Sequence, residues 1–493
     1  MIRFDIREGG KIIRSHRGRG CIHANNGALL RCSFHLVQYA DGDIRVFCPV
    51  SINDTGRLRP QNGMGLDLNM VDENSTFEGT TREGLRVELR GFIVTKRSLH
   101  STAGKPVEIG FVLDPTHAEL TRDTTEPPSH IRFQLVNFDF ITIPGARIVH
   151  PSGMSCDDPV LPVTCNGRAM FLQNSSGRDV VKQLEANNGV DVTCEALAFL
   201  SALEEVEAIE KDISLLCVLL TLLQGTRINW VNYDVMGASG EIVSSVCQNA
   251  VTRPFSSNTI LNRVDPAPFH QRYGGQYLQD LIERMCPRLI ELEEAWELRG
   301  LINTYNDAVS EQDFVELRGL KIGGCMEILR ARFLALKDEV HLVRPHSKFL
   351  KVVPELKKRV LKDLKELLPD EDSENLKMMI NHLQGANYYP FRRALRGLLE
   401  EIGLKGGGTT PKEVKKATEA AISAFISIRD QLVHTGEFLV PTEADGEAGW
   451  SQERILSARW NQLQFMERFV GCVLVSLLGW PQTLPAPPDM LAE

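Results

Sequence analysis

Arg429, Asp430 and His434 lie together near the end of one stretch, Thr409 to Phe438, with the sequence TTPKEVKKATEAAISAFISIRDQLVHTGEF. A guanidinium is permanently charged, and an imidazole takes or gives a proton near neutral pH. The pair meets the needs of RNA transesterification without a metal: the imidazole handles the proton of the 2′-hydroxyl or the leaving group. The arginine holds the charge that builds on phosphorus. Asp430 stands one helical turn before His434, within reach to orient the ring.

These residues need a helix to place them, and the stretch has the marks of one. Thr410 supplies a hydroxyl N-cap, Pro411 occupies the first turn, and Glu413 completes a capping box. Ala417, Ala421, Ile422, Phe425, Ile428 and Leu432 recur at three- and four-residue spacing, so one face packs on a core. Gly436 is the stop. Arg429 and His434 are about 7.5 Å apart along such an axis and leave it on different sides. One protein face is therefore not expected to close a site alone.

In Arg429, Asp430 and His434 of IRDQLVHTGEF, followed by a tryptophan-rich helix ending in LLGW, the chain resembles the HEPN superfamily, and most closely its Apea-like branch. The family motif carries an arginine, a polar residue that is often asparagine, three further residues and a histidine. Asp430 stands at the polar place; a carboxylate repels phosphate, which suits orientation of the histidine better than substrate contact. The resemblance covers about the last 220 residues. It implies a helical bundle that pairs across a two-fold interface, so that arginines and histidines of both copies build one cleft. It also implies a metal-independent endoribonuclease with Arg429, His434 and Asp430 as catalytic residues. The expected role is bacterial defence against phage, by RNA cleavage and growth arrest like that of an abortive-infection toxin. Structured cellular RNA with an exposed loop, tRNA among the candidates, is the expected substrate. No cofactor or metal is expected; an RNA substrate, a homodimer partner and a phage-derived trigger acting on the N-terminal region are. The alternative is an inactive bundle of the same ancestry, serving dimerisation or interaction, with ligand recognition in the N-terminal half.

The 493 residues favour several domains, and 43% apolar with 24% charged residues is ordinary for a folded protein. A net charge of −9 argues against a general nucleic-acid coat, so an RNA site has to be a local positive patch. Eleven scattered cysteines without a C-x-x-C pair read as reduced, buried thiols. With no secretion signal in MIRFDIREGG and no apolar run long enough to span a bilayer, a cytoplasmic protein without a membrane partner is expected.

The whole reads as an α+β multidomain chain. Residues 1–262 form a β-rich sensor or regulatory region, a sandwich or barrel with a sub-boundary near 150. Residues 263–493 form an all-α, HEPN-like bundle. In the first half, Leu29 to Tyr39 and Ile44 to Val50 flank an Asp-Gly turn, and further strands are expected at Leu85 to Val94, Val107 to Leu113 and Ile131 to Ile141. Arg14, Arg17 and Arg19 read as a solvated basic loop. A helix from Ala196, apolar nearly all round from Leu215 to Leu223, stops at Gly225, and a hairpin follows over Ile228 to Tyr233 and Glu241 to Val246. Arg253 to Phe269, rich in proline, is the expected linker.

Seven helical segments are expected after it: Tyr277 to Thr304, Glu311 to Leu336, Ser347 to Leu368, Ser373 to Leu383, Phe391 to Ile402, Pro411 to His434 and Gln452 to Leu478. Gly319, Gly323 and Gly324 are positions where the second segment would bend or split. The triplet Gly406 to Gly408 reads as a flexible connector. Between Leu342 and Glu366 eight Lys or Arg face three acids. From this surplus, Lys357, Lys358, Arg359 and Lys362, with Arg392 and Arg393 further on, are the candidate RNA-binding residues. Tyr388 and Tyr389 are read as core packing before base stacking.

Overall fold

The computed structural model describes residues 11–25, 27–51, 71–100, 108–138, 148–149, 155–156, 160–174, 184, 189–250, 274–309, 313–342, 344–367, 388–439 and 452–488. The chain divides into two compact units, Met1–Ile290 and Glu291–Glu493. The expected domain boundary at 262, the linker Arg253 to Phe269, the sub-boundary at 150 and the helix Ser373 to Leu383 all lie outside the described residues.

Six antiparallel strands of the first unit close on themselves: β1 (Ile12–His23), β2 (Leu29–Tyr39), β3 (Ile44–Ser51), β4 (Thr76–Thr81), β5 (Arg86–His100) and β6 (Glu108–Thr121). β1 pairs with β2, β2 with β3, β3 with β6, β6 with β5, β5 with β4, and β4 with β1 again. Between sandwich and barrel, the outcome is a closed six-stranded barrel. Its interior is the alternating set Leu30, Phe34, Leu36, Val46, Cys48, Val87, Leu89, Phe111 and Leu113, all buried. The Asp-Gly turn is present, with Gly42 at φ 91° and Tyr39 N–H donating to Asp43 O at 2.9 Å.

The basic run read as a loop is instead β1, a strand paired on both sides. Its glycines explain why propensity missed it. A Cβ on Gly18 would lie 2.7 Å from the Phe34 ring, and one on Gly20 would lie 2.8 Å from the Phe77 ring. Glycine there makes room for the two phenylalanines, which meet edge to face at 5.3 Å. Arg14 is not solvated: its guanidinium donates to Asp234 Oδ2 at 2.5 Å and to Ser245 Oγ.

From β6 the sheet continues through β14 (Ile242–Gln248), β13 (Trp230–Gly237), β7 (Pro128–Val136), β12 (Val192–Phe199), β11 (Arg168–Asn174) and β10 (Val160–Cys165). A separate two-stranded ladder pairs β8 (Ile148–Val149) with β9 (Ser155–Cys156). Residues 196–199, expected to open a helix, belong to strand β12. Cys194, Ala196 and Ala198 alternate into the interior with period two, and the helix α1 (Val206–Gln224) begins only after them. Its buried sides and its stop at Gly225, with φ 74°, match the sequence.

The later part of the chain is helical. α2 (Gly274–Trp296) carries the division between the units and is followed by α3 (Leu298–Val309), α4 (Val315–Leu336), α5 (His346–Leu367), α6 (Phe391–Glu401), α7 (Pro411–Thr435) and α8 (Gln452–Leu477). The expected segment Tyr277 to Thr304 is two helices, separated at Glu297, which has φ 52°. α4 runs unbroken through its glycines. Gly319 faces Leu432 and Phe438, where a Cβ would stand 2.8 Å from each, so the glycine sets how closely α4 and α7 approach.

The second unit is not entirely α. β15 (Lys405–Gly406) pairs in parallel with β16 (Thr483–Leu484). The glycine triplet is accordingly packed and not a loose connector: Gly406 N–H donates to Thr418 Oγ1 at 2.8 Å, and a Cβ there would strike the backbone of Ala417 and Thr418.

Candidate active site

α7 has the expected ends. Thr410 Oγ1 accepts from Glu413 N–H at 3.3 Å, and Glu413 Oε2 accepts from the backbone of Thr409 and Thr410, each at 3.0 Å. The Thr409 hydroxyl, which also donates to Glu413 Oε2 at 2.8 Å, and those two backbone N–H groups hold the Glu413 carboxyl far below the ordinary carboxylate range, at about 2. At the other end Gly436, at φ 75°, returns its N–H to Leu432 O at 2.9 Å. Ala421, Ile422, Phe425, Ile428 and Leu432 are buried, and Phe425 stacks on Phe469 of α8 with ring centroids 4.6 Å apart. That packing fixes the rotation of α7 and therefore where residues 429 and 434 stand.

Arg429 is 22% exposed and held on three sides. Nη1 donates to Asp430 Oδ1 at 2.6 Å, and Nη2 donates to Glu327 Oε1 of α4. The guanidinium lies over Phe391, the first residue of α6, at 5.0 Å from the ring centre. Its Nε is buried without a hydrogen-bond partner among the described residues. Glu327 is shared: its other oxygen accepts from Arg330 Nε at 2.9 Å, and Arg330 also lies over Phe391, at 5.6 Å. Two guanidiniums thus share one carboxylate and one aromatic ring.

Asp430 is engaged by Arg429, and the contact with His434 by which it was expected to orient the ring is not among its contacts with the described residues. His434 is exposed in the last turn, and among the described residues no hydrogen bond or ion pair holds it. The two catalytic candidates therefore differ. One is clamped; the other has its ring nitrogens open to solvent or to a ligand.

Of the six RNA-binding candidates, the structure brings two close to this cluster. Arg392 and Arg393 directly follow Phe391. Arg392 Nη1 donates to Ser423 Oγ at 2.9 Å, and Arg393 lies over Tyr389 at 5.0 Å. One turn on, Arg396 grips Glu419 of α7 with bonds of 2.7 and 2.8 Å, which lowers the Glu419 pKa. Lys357, Lys358, Arg359 and Lys362 lie on α5, where Arg359 pairs with Glu355 at 3.6 Å and Lys362 with Glu366 at 3.9 Å along the same helix. α5 buries only Val353 completely. Tyr388, read as core, is 55% exposed and lies beside the stacked rings of His341 and His346, 5.2 Å from the first.

Glu327, Arg330 and Phe391 were not singled out by sequence. The Glu327–Arg330 spacing is an ordinary i,i+3 pair, and only the approach of α4 to α7 turns it into part of the Arg429 environment. That approach had a trace in the sequence: Gly323, where a Cβ would stand 3.3 Å from Arg429 Cγ. Among the described residues no group of three or more His, Cys, Asp or Glu is placed to hold a metal, and no helix is long and apolar enough to cross a membrane.

Chemically, the cluster presents a charged, ring-supported guanidinium whose carboxylate partners a phosphate oxygen would have to displace, with a proton-transfer group one turn further along. Comparison of the chain with family models, with curated proteins and with solved structures finds no match in any of the three.

Proposed function

We propose that the chain is a metal-independent endoribonuclease of HEPN type, with Arg429 and His434 as catalytic residues and Asp430 as the anchor of the guanidinium. The observation that carries this reading is the end of α7: an arginine fixed on Phe391, and beyond it an exposed histidine that no described residue holds by a hydrogen bond or ion pair. In the proposed reaction an imidazole removes the 2′-hydroxyl proton, and the 2′-oxygen attacks phosphorus in line. The 5′-oxygen leaves with a proton, and the product ends in a 2′,3′-cyclic phosphate. Arg429 stabilises the charge on the non-bridging oxygens. Because the two side chains leave the helix on different sides, the second imidazole comes from another copy of the chain across a two-fold. The cations of α5 and α6 guide the RNA backbone, and the β-rich unit senses a phage-derived trigger.

A second reading has its own support. Both Nη groups of Arg429 are already paired to carboxylates, as expected of a structural ion pair in a binding module. One experiment separates the two. Wild type and His434→Ala are expressed in cells with and without phage, and new RNA 3′ ends are mapped. The nuclease reading expects cyclic-phosphate ends from wild type alone, at chelator concentrations that remove free divalent metal. Equal cleavage by His434→Ala, or no such ends from folded, triggered protein, leaves the binding module.

A further inference from the structure

At the far end of the sheet from the barrel, two thiols with no role in that chemistry almost touch. Cys165 ends β10 and Cys286 lies in α2, 121 residues away in sequence; their sulfurs are 2.7 Å apart and both residues are fully buried. The surroundings hold them there. Asp212 of α1, itself buried, accepts from Asn166 Nδ2 and from Arg168 Nε, each at 3.1 Å, which pins the β10–β11 turn beside the pair. Cys286 is seated among the buried Ile282, Met285 and Leu289 of its own helix. Unbonded sulfur atoms do not approach this closely without cost, whereas the sulfurs of a disulfide stand about 2.05 Å apart.

We propose that Cys165 and Cys286 are a modification site: a dithiol that a small-molecule disulfide such as oxidised glutathione converts to an intramolecular bridge. Such a bridge staples the edge strand β10 to α2.

The chemistry balances as two exchange steps. The Cys286 thiolate attacks the glutathione disulfide, forming a mixed disulfide and releasing one glutathione thiolate. The Cys165 thiolate then attacks the Cys286 sulfur and releases the second. Two cysteine thiols are oxidised, one glutathione disulfide is reduced to two thiols, and the cysteine protons end on them. The roles of the two thiols are interchangeable, because either sulfur can be the donor in the hydrogen bond between them. Because both groups are fully buried, the bridge forms as the chain folds, before α2 closes over β10.

The test uses the full chain, produced once in ordinary cells and once in cells with an oxidising cytoplasm, where access during folding is not limiting. Both preparations are denatured with alkylating agent, digested with trypsin and mapped without reduction. Cleavage after Arg284 and Arg288 places Cys286 in one short peptide, and cleavage after Arg147 and Arg168 places Cys165 in another. The second peptide also contains Cys156, so Cys156→Ser is mapped in parallel. The expected result is a cross-linked pair of these peptides from the oxidising cells, retained in Cys156→Ser and lost in Cys165→Ser. The oxidised chain should also melt several degrees higher, and reductant should remove that gain in wild type and not in Cys165→Ser. Full alkylation of Cys165 and Cys286 in folded protein from the oxidising cells overturns the proposal, as does a bridge that survives Cys165→Ser.

Discussion

Two arginines of the helical unit are each held by a glutamate from another helix, and they differ in almost everything else. Arg318 of α4 reaches Glu467 of α8 at 2.7 Å with both side chains at most 3% exposed, and it adds bonds to Ala308 O and Val309 O and a ring contact with Trp460. Its donors are spent on backbone and on a partner that has no access to water. Arg429 has a fifth of its surface exposed, leans on Phe391, shares Glu327 with Arg330 and leaves Nε without an acceptor among the described residues. The same pair of functional groups is architecture in one place and a set of exchangeable contacts in the other. Burial decides which: an ion pair out of water cannot trade partners, and one at the surface can.

The largest expected effect tests that contrast by removing each guanidinium. Arg318→Ala strands the Glu467 carboxylate in the interior and is expected to cost about 3–5 kcal/mol. Arg429→Ala removes a partly exposed pair and is expected to cost about 1 kcal/mol, with a folded protein that cleaves no RNA. Urea unfolding of both variants measures the difference. Equal losses would mean that Arg429 is as structural as Arg318, and the catalytic assignment would fail with that result.

The glycines of α4 sharpen the same comparison. A methyl at Gly319 meets Leu432 and Phe438 at 2.8 Å, in the packed seam, so Gly319→Ala is expected to destabilise by about 1–3 kcal/mol. A methyl at Gly323 meets the stem of Arg429 at 3.3 Å and the end of Met466 at an ordinary 4.0 Å. There, a helix-propensity gain of up to about 1 kcal/mol offsets the contact. Gly323→Ala should therefore fold as well as wild type and cleave RNA more slowly, a split that denaturation and single-turnover rates resolve. Glu327→Gln probes the exchangeable side directly. Without the competing charge, a non-cleavable 2′-O-methyl oligonucleotide is expected to bind about tenfold tighter, or about 1.4 kcal/mol. Unchanged affinity favours the interaction-module reading.

How much of this could be read from the sequence depended on how local the cause was. The two ends of α7, the Asp-Gly hairpin of β2 and β3, and the all-round apolar character of α1 are set by residues within one or two turns of each other. Each appears where its pattern places it. β1 was hidden because its glycines and arginines suit a strand only when Phe34 and Phe77 fill the space beside Gly18 and Gly20, and when Asp234 waits for Arg14. The glycines of α4 looked like breaks because the helix α7 that lies against them is about 100 residues away. For the candidate site, residue types and spacing pointed to Arg429 and His434. They left out Glu327, Arg330 and Phe391, which come from α4 and α6 and which no local pattern joins to α7.

The smallest effect concerns the helix start on which the placement of Arg429 depends. Glu413 carries a folded-state pKa of about 2, lowered by bonds from Thr409 and Thr410, against an ordinary value near 4.5. A depressed carboxylate pKa contributes stability that is fully present above the unfolded value and is lost as pH falls through the folded one. Glu413→Gln should therefore be less stable than wild type at neutral pH, with the gap narrowing from about pH 4.5 downward and closing near pH 2. Thr410→Ala, which removes the hydroxyl acceptor of the same box, is expected to cost about 0.5–2 kcal/mol with far less dependence on pH. Urea midpoints at pH 7, 4 and 3 distinguish the two profiles. If the Glu413→Gln deficit stays constant across that range, the carboxylate is not what holds the cap. The rotation of α7 would then rest on its buried face alone, at Phe425 and Leu432.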